Sequence, residues 1–338
     1  MKRIGQMAAT ALLAMLMLAC SGGGGGSDDG GDNGGGGSES PPPVAGWTRL
    51  ADLPAGVGRF AAVEHAGKIY VLGGYDTSAA VYVYDIAGDS WATGPALPRG
   101  TDNNGAVVHD GKIFVFGGEA ARALQVFDIA TASWSTGAPL PTVRFASTVS
   151  VLDNKAHLIG GWNYSNTASA SLASHERFDF ASQTVEPGLR APLMAARNCA
   201  TAAVIDGAIY VAGGRQPGIR DHDSQPLKTV EMYNPVADGW DVRADMNTAR
   251  ACAAGAVLNG KFYVLGGELP APRIHKTVER FDPVSNSWEA LPDMPYHVTG
   301  AAVVAVGEDL YVIGGYASLS GDLPRMPSRY LYKYRPAP

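Results

Sequence analysis

The chain has 338 residues, of which 46% are hydrophobic and 17% are charged, and its formal net charge is −6. This negative balance is unlike that of nucleic-acid-binding domains, which carry clustered basic residues, so we expect no nucleic-acid partner. Once the unusual first 46 residues are set aside, the remainder is long enough for one large domain.

The first 20 residues have the pattern of a bacterial export signal. Lys2 and Arg3 precede the apolar run MAATALLAMLMLAC, which is too short for a membrane span and ends at Cys20. The end of this run resembles a lipobox, in which the chain is cut before a cysteine that then carries lipid. The sequence therefore predicts an exported lipoprotein anchored through Cys20 in the bacterial cell envelope. Ser21 after the cysteine favours the outer membrane, periplasmic or surface-exposed; a plain secretory signal cut nearby is the alternative.

Residues 21–46 consist mainly of Gly, Ser, Asp and Pro. Almost no apolar side chain is present to offset the entropy of ordering such a segment. We expect a disordered tether with a root-mean-square span of roughly 30 Å, which would hold a folded domain away from the membrane.

From residue 47 onward the chain repeats a short pattern. Runs such as KIYVLGG (68–74) and KFYVLGG (261–267) end in a Gly-Gly pair. Each run is apolar on both alternating faces, as expected for a strand buried between two neighbours. The six pairs are spaced by 44, 43, 53, 53 and 48 residues and lie at 73–74, 117–118, 160–161, 213–214, 266–267 and 314–315. Such a period indicates a propeller or a solenoid.

Two further columns of residues follow each Gly pair. The first is an aromatic residue with Asp or Asn, at 84–85, 127–128, 178–179, 233–234 and 281–282, with Tyr334-Arg335 as a degraded sixth copy. The second is a tryptophan six residues later, at Trp91, Trp134, Trp240 and Trp288, with Val185 in the third copy. These motifs resemble Kelch repeats over about residues 47–336. The resemblance implies an all-β, six-bladed β-propeller, in which Asp closes a turn, Trp fills the space between blades and each blade is a four-stranded antiparallel meander.

The sixth copy has no tryptophan, because the chain ends at Pro338. The segment WTRLADLP, residues 47–54, has the pattern of the fourth strand of a blade and precedes blade one. We expect this segment to complete blade six and close the ring, which would remove the free sheet edges.

One face of this propeller carries long insertions. In a meander, the loop before the first strand lies on the same face as the loop after the Gly pair; we call this the top face and its opening the mouth. The loops after the Gly pairs are short in blades one and two and longer in blades three to six, at about residues 162–174, 215–228, 268–276 and 316–328. Insertions in a regular repeat often carry binding, so the mouth is the predicted binding site.

Some arginines near the mouth repeat and others do not. Arg144, Arg197 and Arg250 stand sixteen residues before the Gly pair in three blades. Their common position favours a structural role, with ligand binding as the alternative. Arg59 and Asn103 come two positions further along in blades one and two, with Asn104 next. In Kelch domains that bind acidic peptides, arginines at this position line the pocket.

The mouth also has residues that do not repeat. They are Trp162, Tyr164, Arg215, Arg220, His222, His275 and His297. Guanidinium groups bind carboxylates bidentately, and aromatic rings suit sugars or peptide side chains. The sequence therefore predicts an arginine-rich, aromatic-rimmed mouth for a protein, peptide or glycan ligand that is anionic; solvated loops without a ligand are the alternative.

Cys199 and Cys252 occupy the same repeat position in adjacent blades. An exported protein can form a disulfide, but the two Cα atoms must lie within about 7 Å. Because neighbouring inner strands splay apart, we expect two buried thiols rather than a bond.

The motifs of common enzyme classes do not occur. The chain has no P-loop, no G-x-G-x-x-G before a helix and no G-x-S-x-G, and its seven histidines are scattered. We therefore expect no cofactor, no metal and a monomeric binding module.

The alternative function is a carbohydrate-active propeller enzyme. The chain is similar to the periplasmic sialic-acid epimerase in blade number, length and export signal; galactose oxidase has similar blades but needs further domains. Epimerisation requires an acid/base group, for which Glu119, Glu268 and His297 are the candidates.

Overall fold

The computed structural model describes residues 41–338, apart from 75–78, 119–121, 165–168, 217–224, 270–272, 323, 325 and 338. The predicted signal, the lipidation site Cys20 and most of the tether therefore lie outside the described residues.

Six four-stranded antiparallel sheets, one for each blade, follow one another along the chain. The first strand of the described residues is β1 (Trp47–Arg49). Blade one contains β2 (Ala61–His65), β3 (Lys68–Leu72), β4 (Val81–Asp85) and β5 (Ser90–Thr93), and blade two contains β6 (Gly105–His109), β7 (Lys112–Phe116), β8 (Leu124–Asp128) and β9 (Ser133–Thr136). Blade three contains β10 (Thr148–Leu152), β11 (Lys155–Ile159), β14 (His175–Asp179) and β15 (Thr184–Val185), with the ribbon β12 (Trp162–Tyr164) and β13 (Ser169–Ser171).

The second half of the chain follows the same plan. Blade four contains β16 (Thr201–Ile205), β17 (Ala208–Ala212), β20 (Val230–Asn234) and β21 (Gly239–Arg243), with the ribbon β18 (Arg215–Gln216) and β19 (Gln225–Pro226). Blade five contains β22 (Ala254–Leu258), β23 (Lys261–Leu265), β24 (Val278–Asp282) and β25 (Ser287–Leu291). Blade six contains β27 (Ala302–Val306), β28 (Asp309–Ile313) and β30 (Leu331–Tyr334), with the ribbon β26 (His297–Thr299) and β29 (Tyr316–Ser318).

The predicted closure of blade six is confirmed. β1 pairs antiparallel with β30, so that Trp47 stands opposite Tyr334. Their rings stack with centroids 4.4 Å apart, and both side chains are buried. The sheet order of blade six is therefore β1-β30-β28-β27, and the first and last strands of the propeller share one blade.

The Gly pairs connect each blade to the next. In every pair the second glycine donates its N–H to a backbone carbonyl of the following blade, as Gly214 does to Arg250 at 3.0 Å, and Gly315 closes the circle at Val57. The first glycine has positive φ and lies so close to that carbonyl that a Cβ on Gly213 would be 2.6 Å from the Arg250 oxygen. Only glycine fits both the conformation and the approach.

A second circle of hydrogen bonds lies beside the inner strands. Six residues in the left-handed conformation, one per blade, each donate a backbone N–H to their counterpart in the preceding blade at 2.7–3.0 Å. We call them the axial ring: Arg59, Asn103, Ala146, Cys199, Cys252 and Gly300. The bond from Arg59 N–H to the Gly300 carbonyl closes this ring.

The tryptophan column lies between blades, as predicted. The indole Nε1 of Trp134, for example, donates to the Pro95 carbonyl of blade one at 2.9 Å. The Asp column closes turns, also as predicted: Asp85 accepts from the backbone N–H groups of Ala87 and Gly88 at 3.0 Å.

Candidate functional site

Short antiparallel ribbons form the wall of the mouth. In blades three to six, the residue after the Gly pair lies opposite the residue before the axial ring. The pairs are Trp162 with Phe145, Arg215 with Asn198, Glu268 with Ala251 and Tyr316 with Thr299. Where the predicted insertions are described, they therefore form ordered ribbons on the top face. In each of these blades, the segment before the first strand pairs with the segment after the Gly pair.

A polar chain runs along this wall from blade three to blade six. The Arg215 guanidinium donates through Nε to Asn198 Oδ1 and through Nη1 to Glu268 Oε2, both at 3.2 Å. Asn198 donates onward to Ser171 Oγ at 2.7 Å, and Thr299 Oγ1 donates to the other Glu268 oxygen at 3.2 Å. The Arg215 side chain is 32% exposed and that of Glu268 is 15% exposed, so the ion pair reaches solvent.

Arg59 lies further around the mouth. Its guanidinium carbon sits 5.6 Å from the centre of the Tyr316 ring, a cation–π arrangement, and the side chain is half-buried. A Cβ on Gly300 would lie 3.2 Å from Arg59 Cγ, so this glycine leaves room for the arginine to cross. No carboxylate among the described residues forms an ion pair with Arg59.

The two asparagines of blade two differ from each other. Asn103 is partly exposed and donates to Asp102 Oδ2 at 2.9 Å. Asn104 is buried between blades, and its Nδ2 donates weakly to the Leu72 carbonyl at 3.4 Å. Asn103 therefore contributes to the mouth, whereas Asn104 contributes to the contact between blades one and two.

The three repeated arginines lie beneath the mouth with their side chains at most 1% exposed. In each, Nη1 donates to the carbonyl of the first glycine of the blade's own pair, at 2.7 Å for Arg144, 3.0 Å for Arg197 and 2.8 Å for Arg250. Burial lowers the pKa of all three guanidinium groups, and a buried glutamate opposes that shift. Their Nη1 and Nη2 groups donate within the protein and their side chains are buried, so these arginines hold the Gly-Gly corner and are not exposed to a ligand.

The glutamates that pair with these arginines were missed by sequence reasoning. They are Glu176, Glu231 and Glu279. Each stands two residues before the aromatic residue of its blade, and blade two has Gln125 there, together with Thr101 in place of the arginine. Within the repeats, glutamate thus occurs wherever the arginine occurs, and that joint occurrence was a signal the sequence contained.

The two described acid/base candidates, Glu268 and His297, have different neighbours. His297 lies beside Gly321 in blade six, and burial lowers its pKa, with smaller effects from Lys276, Asp293 and Arg273. Glu268 lies instead with Arg215 and Thr299. The remaining predictions, Glu119, Arg220, His222 and the side chain of Tyr164, fall outside the described residues.

Trp162 and His275, two other residues predicted to lie at the mouth, differ in how far they are buried. Trp162 is partly buried in its ribbon on blade three. His275 is buried, and burial followed by the charge of Arg250 lowers its pKa to about 4, so it is a neutral side chain of the wall.

The expectation of two free thiols is wrong. Cys199 and Cys252 form a disulfide with their Cα atoms 4.5 Å apart. Both belong to the axial ring, where the Cys252 N–H donates to the Cys199 carbonyl at 2.8 Å. This backbone hydrogen bond holds the neighbouring blades closer together at the axial ring than we expected from the splay of their strands. The two Cα atoms therefore come within the reach of a disulfide.

The described residues show no metal centre and no membrane helix. No three His, Cys, Asp or Glu side chains in the described ranges lie close enough to share a metal ion. Within the same ranges, no helix combines the length and apolar composition needed to cross a membrane.

Comparison with known proteins identifies the family of the repeat. A family model described as the attractin/LZTR1 β-propeller matches residues 69–323. The chain belongs to this family. The attractin/LZTR1-type propeller has the fold of the solved structure of YjhT, with a TM-score of 0.70 and 14% sequence identity over 83% of this chain and 95% of that one.

Curated relatives confirm that this attractin/LZTR1-type propeller is built from Kelch repeats. The chain is 31% identical over 119 residues to the Kelch repeat and BTB domain-containing protein 1 of cowpox virus (strain Brighton Red), over 35% of this chain and 20% of the relative. It is 33% identical over 103 residues to the human influenza virus NS1A-binding protein, over 30% of this chain and 15% of the relative. The alignments thus span a fifth or less of each of these relatives.

Proposed function

We propose that this propeller is a binding module that holds a polypeptide partner across its mouth, with an anionic group of the partner on Arg59. The observation that carries the proposal is the position of Arg59 on the rim, stacked on Tyr316 and without a described carboxylate partner. A guanidinium fixed on a ring offers a planar, preorganised contact for a carboxylate.

The rest of the wall supports an extended ligand. The chain of hydrogen bonds from Ser171 to Thr299 crosses four blades and alternates donors and acceptors. Such a surface suits the polar groups of a peptide backbone better than an apolar ligand. The name of the human relative states that it binds the NS1A protein, which agrees with a polypeptide partner for a Kelch propeller.

A sugar-converting enzyme is the second candidate, favoured by one observation. Glu268 is a carboxylate in the mouth that reaches solvent and lies in an ordered hydrogen-bonded position. A carboxylate in such a place could exchange a proton with a bound sugar.

A thermal-shift screen of the purified protein against acidic peptides and N-acetylneuraminate separates these functions. A ligand at about 100 times its dissociation constant adds about 2.7 kcal/mol of stability. We expect acidic peptides to raise the melting temperature of the wild type and of Arg280→Ala, but not that of Arg59→Ala. Arg280 is the matched control because it also lies over a tyrosine, Tyr263, at 6.0 Å.

Each alternative outcome of the screen has a clear meaning. A shift with N-acetylneuraminate that Glu268→Gln abolishes would support the enzyme, and an anomer-exchange assay would follow. No shift with any anion, or an equal peptide shift in Arg59→Ala, would contradict the proposed binding mode.

We also propose that the propeller is anchored in the cell envelope through lipid on Cys20. The support is the sequence of residues 1–20 alone. Growth with a radiolabelled or clickable fatty acid should label the wild-type protein in its bacterial host and leave Cys20→Ser unlabelled; equal labelling of both would contradict the anchor.

A further inference from the structure

The outer strands of the propeller contain one departure from the repeat that leaves a cavity. In five blades a tryptophan stands directly opposite the aromatic residue of the neighbouring strand. These pairs are Trp47 with Tyr334, Trp91 with Tyr84, Trp134 with Phe127, Trp240 with Tyr233 and Trp288 with Phe281. In blade three the same register places Val185 opposite Phe178.

Four of these tryptophans make the same hydrogen bond. Each indole Nε1 donates at 2.8–2.9 Å to a carbonyl of the adjacent blade, and the acceptors are Ala51, Pro95, Ala191 and Ala244. Every acceptor stands two residues before a buried Leu or Met, namely Leu53, Leu97, Leu193 and Met246. The counterpart for blade three is Ala138, two residues before the buried Leu140. No donor among the described residues forms a hydrogen bond with the Ala138 carbonyl.

A cavity of about 290 Å³ lies at this place, between blades two and three. Its lining residues are Arg122, Ala138, Pro139, Leu140, Pro141, Phe178, Gln183, Thr184 and Val185. Ala138 and Val185, the two residues that an indole would bridge in the other blades, are both on its wall. The volume is close to the lower end of the range for ligand pockets, about 300 Å³. It therefore suits a single ring system.

We propose that this cavity binds a tryptophan side chain of a partner polypeptide. The occupant is defined by the other blades, which fill the equivalent place with an indole hydrogen-bonded to the equivalent carbonyl. The chain cannot supply the ring itself, because its six tryptophans are already placed: five in the column and Trp162 on the mouth ribbon. Val185 keeps Phe178 covered, at 1% exposure, so the incoming ring lies on Val185 with its N–H on the Ala138 carbonyl.

Two features favour an indole over other apolar groups. The proline-rich wall offers flat apolar faces, on which aromatic rings pack well. Arg122, an exposed side chain on the rim of the cavity, donates through Nε to the Leu140 carbonyl, which holds its charge where it can approach an aromatic face. This site lies among the outermost strands of the sheets and shares no residue with the mouth, so it stands or fails independently of the proposed function.

The test uses N-acetyl-L-tryptophan amide as the probe and ligand-observed NMR on the full protein. We expect saturable binding to the wild type, at least ten-fold weaker binding to Val185→Trp, and unchanged binding to Arg59→Ala, which lies outside the cavity. Val185→Trp places in the cavity the residue that the other blades have there. Ala138→Arg, a change at an exposed position on the cavity wall, blocks the site by a second route if the first variant fails to fold.

A comparison of probes on the wild type needs no variant. Methylation of the indole nitrogen removes the donor to the Ala138 carbonyl and should weaken binding about two- to ten-fold, the value of one neutral hydrogen bond. The proposal is overturned if no probe binds saturably up to its solubility limit. It is also overturned if Val185→Trp and Ala138→Arg bind N-acetyl-L-tryptophan amide as tightly as the wild type does. The same holds if N-acetyl-L-phenylalanine amide, used as a second probe, binds as tightly as the tryptophan probe.

Discussion

At the scale of single residues, the buried arginine–glutamate pairs decide how firmly the corners of three blades are held. Arg250 is fully buried, donates to the Gly266 and Thr277 carbonyls and pairs with Glu279. Removing one partner of such a pair leaves an uncompensated charge in the interior, which costs about 3–5 kcal/mol. Arg250→Ala should lower the free energy of unfolding by this amount, measured by urea denaturation.

Blade two supplies the matched control for that variant. It places Thr101 and Gln125 at the same two positions, and Thr101 Oγ1 still donates to the Gly117 carbonyl at 3.0 Å. The double change Arg250→Thr with Glu279→Gln copies this neutral pair and should destabilise the protein less than Arg250→Ala alone. Equal or greater destabilisation would contradict the importance of charge balance at this corner.

Two histidines of blade three make stability depend on pH. His157 and His175 are buried, with Nδ1 of the first 2.8 Å from Nε2 of the second. Burial, with a smaller contribution from Arg177, lowers the pKa of His157 to about 4, and burial, followed by the charge of His157, lowers that of His175 to about 3. Both are therefore neutral in the folded protein near pH 7.

The sign follows from linkage. The unfolded chain binds protons at these histidines below about pH 6.5 while the folded protein does not, so stability falls as the pH decreases from 6.5 toward 4. Between pH 7 and pH 5 the loss should be about 2 kcal/mol for each histidine. The other blades place Tyr or Phe and Val or Leu at these positions, so His157→Phe with His175→Val should flatten the dependence in urea denaturation at the two pH values. An unchanged slope would contradict the assignment.

At the scale of elements, the three-residue strand β1 closes the propeller by pairing with its last strand, β30. Trp47 is 8% exposed and stacks on Tyr334 across the β1–β30 pair. Truncation of a buried tryptophan costs about 3–5 kcal/mol. Trp47→Ala should therefore lower the melting temperature strongly, whereas Trp162→Ala, a tryptophan on a mouth ribbon, should lower it little. Equal effects of the two changes would contradict closure through β1.

The strands could be predicted from the sequence because the same residue types recur at the same positions in each blade. Each recurring residue meets a local backbone requirement or a packing requirement between adjacent blades. The Gly pairs, the Asp turns and the tryptophan column each report a backbone or packing requirement, and Trp47 could be assigned to blade six because the same column fixed its register. The disulfide could not be predicted, since the approach of Cys199 and Cys252 results from the axial ring. That ring depends on backbone bonds between residues far apart in sequence.

The candidate site was predicted less completely than the fold. Sequence position placed Arg59, Asn103 and Arg215 near the mouth, but the link from Arg215 to Glu268 joins two insertions of unequal length. No spacing rule describes such a contact. The loss of a tryptophan at Val185 was visible in the sequence, whereas the cavity beside Ala138 became evident only once the blades were packed together.

At the scale of the whole molecule, repetition and departure from repetition have different roles. The two closed circles of backbone hydrogen bonds join all six blades, so the ring presents a rigid frame. The top-face ribbons of blades three to six and the charges of Arg59 and Arg215 do not repeat in the other blades, and they are concentrated at the mouth. We propose that this wall is the binding surface for a polypeptide.

The most direct test is the selection of a random peptide library on three forms of the protein: the wild type, Arg59→Ala with Arg215→Ala, and the control Arg280→Ala. We expect acidic peptides to be enriched on the wild type and on the control and lost on the double mouth variant. Enrichment of the same peptides on all three forms, or no enrichment on the wild type, would contradict the claim that the mouth binds a polypeptide.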